Sequence, residues 1–224
     1  MKKSMWIFCL MAGLRAVGQD CKQFLFFQKG KTIEMTVYNK AGDASGKQVY
    51  QVLDVTNDGG TTTGTLTSEM FDKTGKSLAK TNSVVKCAGG VMMVDMKMMM
   101  PQMPGSSGAV QATVGNDYLE FPANMHVGDQ LKDGSLTMNL TMQNIQETIA
   151  IKITDRKVVG QETVTTPAGS WSCYKISSKS AVTMNMAGRD LPTMNTESTA
   201  WYKPDFGIVK TLSANGSTAI TSIK

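Results

Sequence analysis

Methionine is the residue type whose concentration in this sequence points to chemistry. Seven of the fourteen residues in "VMMVDMKMMMPQMP", residues 91–104, are methionine. The thioether is a soft ligand that suits Cu(I). It is also a flexible apolar group that fills irregular interiors and lines adaptable binding surfaces. The stretch therefore raises two hypotheses, a metal site and an apolar wall.

A copper site requires thioethers that converge on one point. Residues two apart on a strand lie on one face about 6.6 Å apart, so a Cu(I) site would draw on both methionine-rich stretches. Its candidate ligands are Met96, Met98, Met100, Met184 and Met186. These methionines alternate with apolar residues, however, and no cluster of His or Cys accompanies them. Copper is therefore kept as the alternative hypothesis, and the first expectation is no metal and no cofactor.

Catalytic motifs are not evident in the sequence. His126 is the single histidine, which leaves one imidazole base and no multi-histidine metal site. There is no G-x-S-x-G elbow, phosphate-binding loop or dinucleotide fingerprint. We therefore predict that the protein is not an enzyme.

The elements that must position these methionines are strands. Turn signals such as "TNDGG", "DKTGK", "KDGS" and "SANG" separate short stretches rich in Thr, Val and Ile. In "SLTMNLTMQN", the side chains of Leu136, Met138, Leu140 and Met142 fall on one face and polar residues fall on the other. This alternation predicts an all-β, single-domain antiparallel sheet, curved or closed into a half-open barrel, with few or no helices.

The opening stretch is predicted to be one of these strands. Alternation places Met92, Val94, Met96, Met98 and Met100 on one wholly apolar face. Pro101 then ends the strand, because proline removes a donor from the ladder.

These faces have two interpretations of equal weight, a cavity for an apolar ligand and a plain packed core. The predicted function is that of an exported, non-catalytic protein that binds or carries an apolar ligand or acts as an envelope-associated interaction protein. A methionine lining adapts to ligands of varied shape, and a curved sheet offers a concave surface for a lipid or another apolar molecule. The candidate lining comprises Met92, Met96, Met98, Met100, Met138, Met142, Met184, Met186 and Trp201.

The first residues have the layout of a secretory signal peptide. Lys2 and Lys3 precede an apolar run that Arg15 closes, and small residues follow. We predict a signal peptide over residues 1–18 and one β domain over 19–224, exported to the periplasm or the exterior. Without that signal the net charge falls from +5 to +2. The remaining cations are scattered, so nucleic acid is not expected as a partner. No later apolar run is long enough to span a bilayer.

Three cysteines, Cys21, Cys87 and Cys173, remain after the signal. An oxidising compartment allows them at most one intramolecular disulfide, and spacing leaves its connectivity open. The tripeptide "GQD" before Cys21 does not fit a lipid-anchor signal, so no lipid anchor is predicted.

The C-terminal third carries the most distinctive wording. "TTPAGSWSCYKI" and "WYKPDFGIVK", together with "YLEFP" and "VGDQLKDGS", resemble a TapB-like family of secreted or periplasmic Gram-negative bacterial proteins of unknown function. This resemblance covers nearly all of residues 19–224. It implies a fold similar to the half-open barrels of the lipoprotein carriers LolA and LolB, and it implies no activity. Protein partners are left unspecified.

Overall fold

The computed structural model of the protein describes residues 21, 24–99, 111–113, 117–142 and 145–224. The predicted signal peptide and Met100 lie outside the described residues. The boundary predicted at residue 19 stays a prediction.

Fourteen strands form one sheet in the described residues. They are β1 (Thr32–Tyr38), β2 (Ala44–Asp58), β3 (Thr61–Asp72), β4 (Ser77–Ala88), β5 (Val91–Asp95), β6 (Gln111–Thr113), β7 (Tyr118–Pro122), β8 (Gly134–Met142), β9 (Ile145–Thr166), β10 (Gly169–Met186), β11 (Arg189–Asp190), β12 (Met194–Lys203), β13 (Gly207–Ser213) and β14 (Gly216–Ile223). Two short 3-10 helices, Leu25–Phe27 and Met96–Met99, accompany them, and the described residues contain no α-helix.

All the strand pairings are antiparallel, and most join strands that are neighbours in sequence. The order is β6-β8-β9-β10-β12-β13-β14-β1-β2-β3-β4-β5-β7, with β11 paired to β10. The first strand therefore pairs with β14, and the amides of Thr32 and Lys224 donate to each other's carbonyl oxygens at 3.0 and 2.9 Å. The sheet curls into a nearly closed barrel, which confirms the predicted all-β antiparallel fold.

The interior of the barrel follows the alternation of the strands. In β3 the buried residues are every second one, Thr62, Gly64, Leu66 and Ser68. Tyr202 and Val85 are fully buried on other strands. Each large apolar side chain of this kind contributes about 1.5–3 kcal/mol through its removal from water. The sheet is therefore stabilised mainly by its concave face.

A buried arginine connects β9, near one end of the strand order, to β7 at the other end. Arg156, on β9, is 2% exposed. Its guanidinium donates to the carbonyl oxygens of Lys132 at 2.5 Å and of Glu120, on β7, at 3.1 Å. It also lies 4.8 Å from the ring centroid of Phe121. The Phe121 ring in turn stacks on the ring of Tyr202, with the two centroids 4.7 Å apart. Burial lowers the pKa of Arg156 to about 10, and the charges of Asp133 and Glu120 oppose that shift.

The lower end of the barrel, where residues 59–60, 89–90 and 167–168 turn, is filled by the segment Phe24–Gln28. Its Phe24, Leu25 and Phe27 side chains are buried in the core. A disulfide joins Cys21 to Cys87, with 66 residues of separation. Closing a loop of this length stabilises a fold by about 4 kcal/mol.

The disulfide answers the question of connectivity that the sequence left open. Cys173 is the free cysteine of the described chain and is buried. Burial raises the pKa of its thiol to about 11, so it stays protonated and unreactive at neutral pH.

The strand predicted through Met100 is wrong beyond Asp95. The chain leaves the sheet there and forms the 3-10 helix Met96–Met99. The Asp95 carboxylate accepts a hydrogen bond from the Lys97 amide at 2.9 Å, and the Met96 amide donates to the Asp117 carbonyl at 2.7 Å. An aspartate that bonds the amide two residues on turns the chain. Strand alternation therefore does not apply to Met96 and Met98.

Asp95 also gives the fold a pH dependence. Burial raises the pKa of this carboxyl, although the Lys97 amide and the Val84 amide donate hydrogen bonds to it. Because the pKa is higher in the folded than in the unfolded protein, ionisation costs stability, and this cost falls as pH decreases through the raised pKa. We therefore expect the wild type to gain stability relative to Asp95→Asn as the pH falls from about 7 to about 4.

Denaturant titrations at several pH values measure this difference, and Asp72→Asn is the matched control. A hydrogen bond from the Thr74 hydroxyl lowers the pKa of Asp72. The loss of Asp72 should therefore cost most at neutral pH and least at low pH, the opposite trend. Parallel pH trends in the two variants would contradict the assignment.

Candidate functional site

Four of the predicted lining methionines are fully packed. Met92, Met96, Met98 and Met138 belong to the buried core. A Cβ placed on Gly134 would lie 2.8 Å from the Met96 sulfur, which shows that Met96 lies directly against β8. These side chains are part of the buried core, and their predicted role as a ligand lining remains untested.

Beyond this core, the ladders extend apolar rows toward the upper end of the barrel, where residues 39–43, 73–76, 187–188 and 214–215 turn. One row runs across β8, β9 and β10 through Met138, Ile149 and Met184. Paired residues of an antiparallel ladder share a face of the sheet. Met184 therefore lies on the same concave face as the two buried side chains.

A second row reaches one strand further. It runs across β8, β9, β10 and β12 through Leu136, Ile151, Val182 and Met194. Leu136 and Ile151 are buried, Val182 is half-buried, and Met194 is 50% exposed. Burial therefore decreases along the row from β8 to β12, and apolar surface meets solvent at its far end.

We name the solvent-reaching part of these rows the methionine wall, and it consists of Val182, Met184, Met186 and Met194. Met186 is 43% exposed. Its ladder partner is Glu147, whose side chain is buried at this position. Its partner on the other side is Arg189, on β11. The wall thus combines apolar side chains with a carboxyl group and a guanidinium group at its upper margin.

Half of the methionine wall follows from the sequence. The lining predicted from "VTMNMAG" includes Met184 and Met186, but it lacks Val182 and Met194. Met194 begins "MNTES", a strand with polar neighbours, and only its pairing with Val182 shows that it continues an apolar row. Of the other predicted lining methionines, Met142 ends β8 and Met100 lies outside the described residues.

The structure does not bring the copper candidates on β10 together with those of residues 96–98, and Met100 lies outside the described residues. Met96 contacts Gly134, which pairs with Ile153, whereas Met184 pairs with Ile149. Four residues along β9 correspond to about 13 Å, and β8 and β10 lie on opposite sides of that strand. Met186 lies one further step along, so the copper alternative gains no support from this geometry.

Trp201 lies on a different surface from the wall. Its indole Nε1 donates to the Glu162 carboxylate, and the Lys175 and Lys210 ammonium groups lie 5.5 and 5.1 Å from its ring centroid. The hydrogen bond from Trp201 and the charge of Lys175 lower the pKa of Glu162. The two lysine side chains cover the indole, so this tryptophan is packed against the outer surface rather than lining the concave face. Its predicted role in ligand binding remains untested.

His126 lies on a surface turn, with a side chain that is 82% exposed. Its backbone amide donates to the Asp129 carboxylate at 2.7 Å. In the part of the chain that the structure describes, no three His, Cys, Asp or Glu side chains cluster as a metal site would require. Within the same residues, no helix is long and apolar enough to cross a membrane.

The fold and the wall together define a class of protein, a single-sheet β-barrel whose mostly apolar concave face reaches solvent at the methionine wall. Within this class, residues 28–224 match the DUF3108-like family, and the chain belongs to that family. No curated protein matches the sequence.

Two solved structures are similar over most of their length. One is a candidate exported protein with a YmcC-like fold from Bacteroides fragilis NCTC 9343, with 25% identity and a TM-score of 0.72 over 90% of this chain and 98% of the other. The second is a candidate lipoprotein from Parabacteroides distasonis ATCC 8503, with 21% identity and a TM-score of 0.72 over 90% and 99%. Neither description names a catalytic activity. The TapB-like name and the likeness to LolA and LolB are not confirmed by these matches.

Proposed function

We propose that this protein is an exported, non-catalytic protein of the cell envelope that binds an apolar, lipid-like ligand on the methionine wall. The observation that carries the proposal is the second ladder row, in which buried Leu136 and Ile151 continue into half-exposed Val182 and Met194. An apolar surface that is continuous with the core and still reaches solvent offers a ligand an immediate gain from burial.

The chemistry of the wall fits a ligand of variable shape. Methionine side chains are unbranched and polarisable, so they repack around different apolar surfaces. The buried Glu147 at the upper margin supplies one polar group, and ligand sites commonly combine an apolar lining with few polar groups. Arg189, the other ladder partner of Met186, supplies a cation at the same margin. An acyl chain with a carboxylate end therefore has matching chemistry.

Export is supported by two observations of different kinds. The first residues have the layout of a signal peptide, and the similar structures are described as a candidate exported protein and a candidate lipoprotein. Lipidation of Cys21 does not fit its participation in the Cys21–Cys87 disulfide. We therefore place the protein in the envelope without a lipid on Cys21.

Replacing Met184 and Met194 by glutamine tests the proposed function. Glutamine keeps the length and flexibility of methionine but loses most of its gain from burial, so we expect the double variant to bind a fluorescent fatty acid about tenfold more weakly. Equilibrium fluorescence titration measures the affinity. Native mass spectrometry with lipid extraction and metal analysis of the protein purified after export identifies what it carries.

Leu212→Gln is the matched control, because Leu212 is an exposed apolar residue that pairs with Thr199 on the outer face of the sheet. Its substitution should leave the affinity for the fatty acid unchanged. Equal affinity of the wild type and the double variant would rule out the wall as the ligand site, and copper retained through desalting would favour the metal hypothesis instead.

A further inference from the structure

The segment Phe24–Gln28 occupies the lower half of the barrel in the way that a ligand would. Phe24 and Phe27 meet edge to face at a centroid distance of 5.8 Å, and Phe26 meets Tyr50 in the same geometry at 5.8 Å. Phe24 is 1% exposed. A compact cluster of aromatic side chains therefore fills this part of the concave face.

Two glycines in the barrel wall make room for this segment. A Cβ on Gly64 would collide with the Phe26 carbonyl oxygen and would lie 3.2 Å from the Phe27 ring. Gly64 has no positive φ, so the chain uses glycine there for space rather than for backbone conformation. A Cβ on Gly207, on β13, would lie 3.3 Å from the Phe26 ring, although the positive φ of 121° at this residue already favours glycine. The wall is thus shaped to accept apolar groups.

The segment is attached to the barrel differently from a strand. The amides of Phe24, Phe27 and Gln28 donate to carbonyls within residues 21–25. Pairing with the sheet begins at Gly30, whose amide donates to the Val52 carbonyl at 3.0 Å. Apolar packing and the disulfide at Cys21 therefore hold the segment. Its C-terminal end leads into strand β1, and the disulfide fixes the chain on its N-terminal side.

We propose that the barrel surface beneath Phe24–Gln28 is a second apolar binding site, which accepts one acyl chain when reduction of the Cys21–Cys87 disulfide lets the segment swing out. The lining of this site includes Gly64, Gly207 and Tyr50. It is separate from the methionine wall, so it does not depend on the function proposed for that surface.

The reductant is a dithiol. One thiolate of the dithiol attacks the sulfur of Cys21, which is the partly exposed cysteine of the pair, and the buried Cys87 leaves as a thiolate that takes up a proton. The second thiol of the reductant, as its thiolate, then displaces Cys21, which is protonated in turn. The protein gains two thiols, and the dithiol becomes a disulfide.

Stoichiometry with a fluorescent fatty acid tests the second site. The protein purified after export is titrated in its oxidised form, after reduction with dithiothreitol, and as the Cys21→Ala variant. We expect the reduced protein and the variant to bind one equivalent more than the oxidised protein. Chymotrypsin should also cut after Phe24, Phe26 or Phe27 at least tenfold faster in these two forms.

Cys173→Ala is the matched control, since it removes a buried cysteine without opening the disulfide, and it should behave as the oxidised wild type. Cys87→Ala opens the same disulfide from its other end, so it should take up the extra equivalent even if Cys21→Ala does not fold. Unchanged stoichiometry in both the reduced protein and Cys87→Ala would overturn the proposal. A single equivalent that appears only on reduction would support the second site and refute binding at the methionine wall.

Discussion

Replacing Arg156 by alanine is expected to lower the free energy of unfolding by about 3 kcal/mol. The substitution removes the guanidinium donor from the carbonyls of Lys132 and Glu120 and the cation from the face of Phe121. Each hydrogen bond from a charged group contributes about 1.5–3 kcal/mol. The alanine variant no longer carries the cost of burying a positive charge, and this offsets part of the loss.

Urea denaturation of the wild type and the variant measures this effect, and Arg156→Lys is the informative companion. Lysine keeps the positive charge but cannot donate to two carbonyls with the planar geometry of guanidinium. We expect the lysine variant to recover less than half of the lost stability. Full recovery would show that charge alone, rather than the two directed hydrogen bonds, joins β9 to β7.

Replacing Gly64 by alanine is expected to destabilise the protein by about 1–3 kcal/mol. The added methyl group meets a backbone oxygen, that of Phe26, rather than the movable end of a side chain. Either the segment Phe24–Gln28 or strand β3 must therefore shift. Thermal and denaturant unfolding both report the loss.

Gly160→Ala is the matched control for this prediction. Gly160 also lies inside a strand, without a positive φ, and a Cβ there has no neighbour within 4 Å. Its substitution by alanine should be neutral or slightly stabilising, because alanine loses less backbone freedom than glycine on folding. Similar losses at both positions would mean that the cost at Gly64 comes from strand conformation rather than from contact with the segment.

The sheet itself was predictable because period-two alternation is a local property. "SLTMNLTMQN" shows it clearly, and the structure places β8 there. The same pattern gives a wrong prediction in the methionine-rich stretch, because Val91–Asp95 is a strand and the next four residues form a 3-10 helix. A single aspartate that bonds the amide of Lys97 overrides the pattern, and periodicity alone carries no sign of such a turn.

The candidate site was only partly predictable, for a different reason. Which methionines are buried and which reach solvent depends on the ladder partners, and these pairings join residues far apart in sequence. Met194 illustrates this, because its neighbours in sequence are polar and only the row through Val182, Ile151 and Leu136 makes it part of an apolar surface. The Cys21–Cys87 pairing has the same origin, since spacing does not determine which cysteines a folded sheet brings within reach.

The pairing of β1 with β14 constrains when the barrel can form. Hairpins such as β2–β3 and β3–β4 are local and can pair as soon as their residues are free, but β1 finds its second neighbour only when Ser217 to Ile223 are present. Contacts of such long sequence separation form late and slow the folding of β-proteins. In a chain that emerges from a translocation channel with its N-terminal end first, the strands that follow β1 and the strands that precede β14 would therefore stay unjoined at this seam until β14 has passed through.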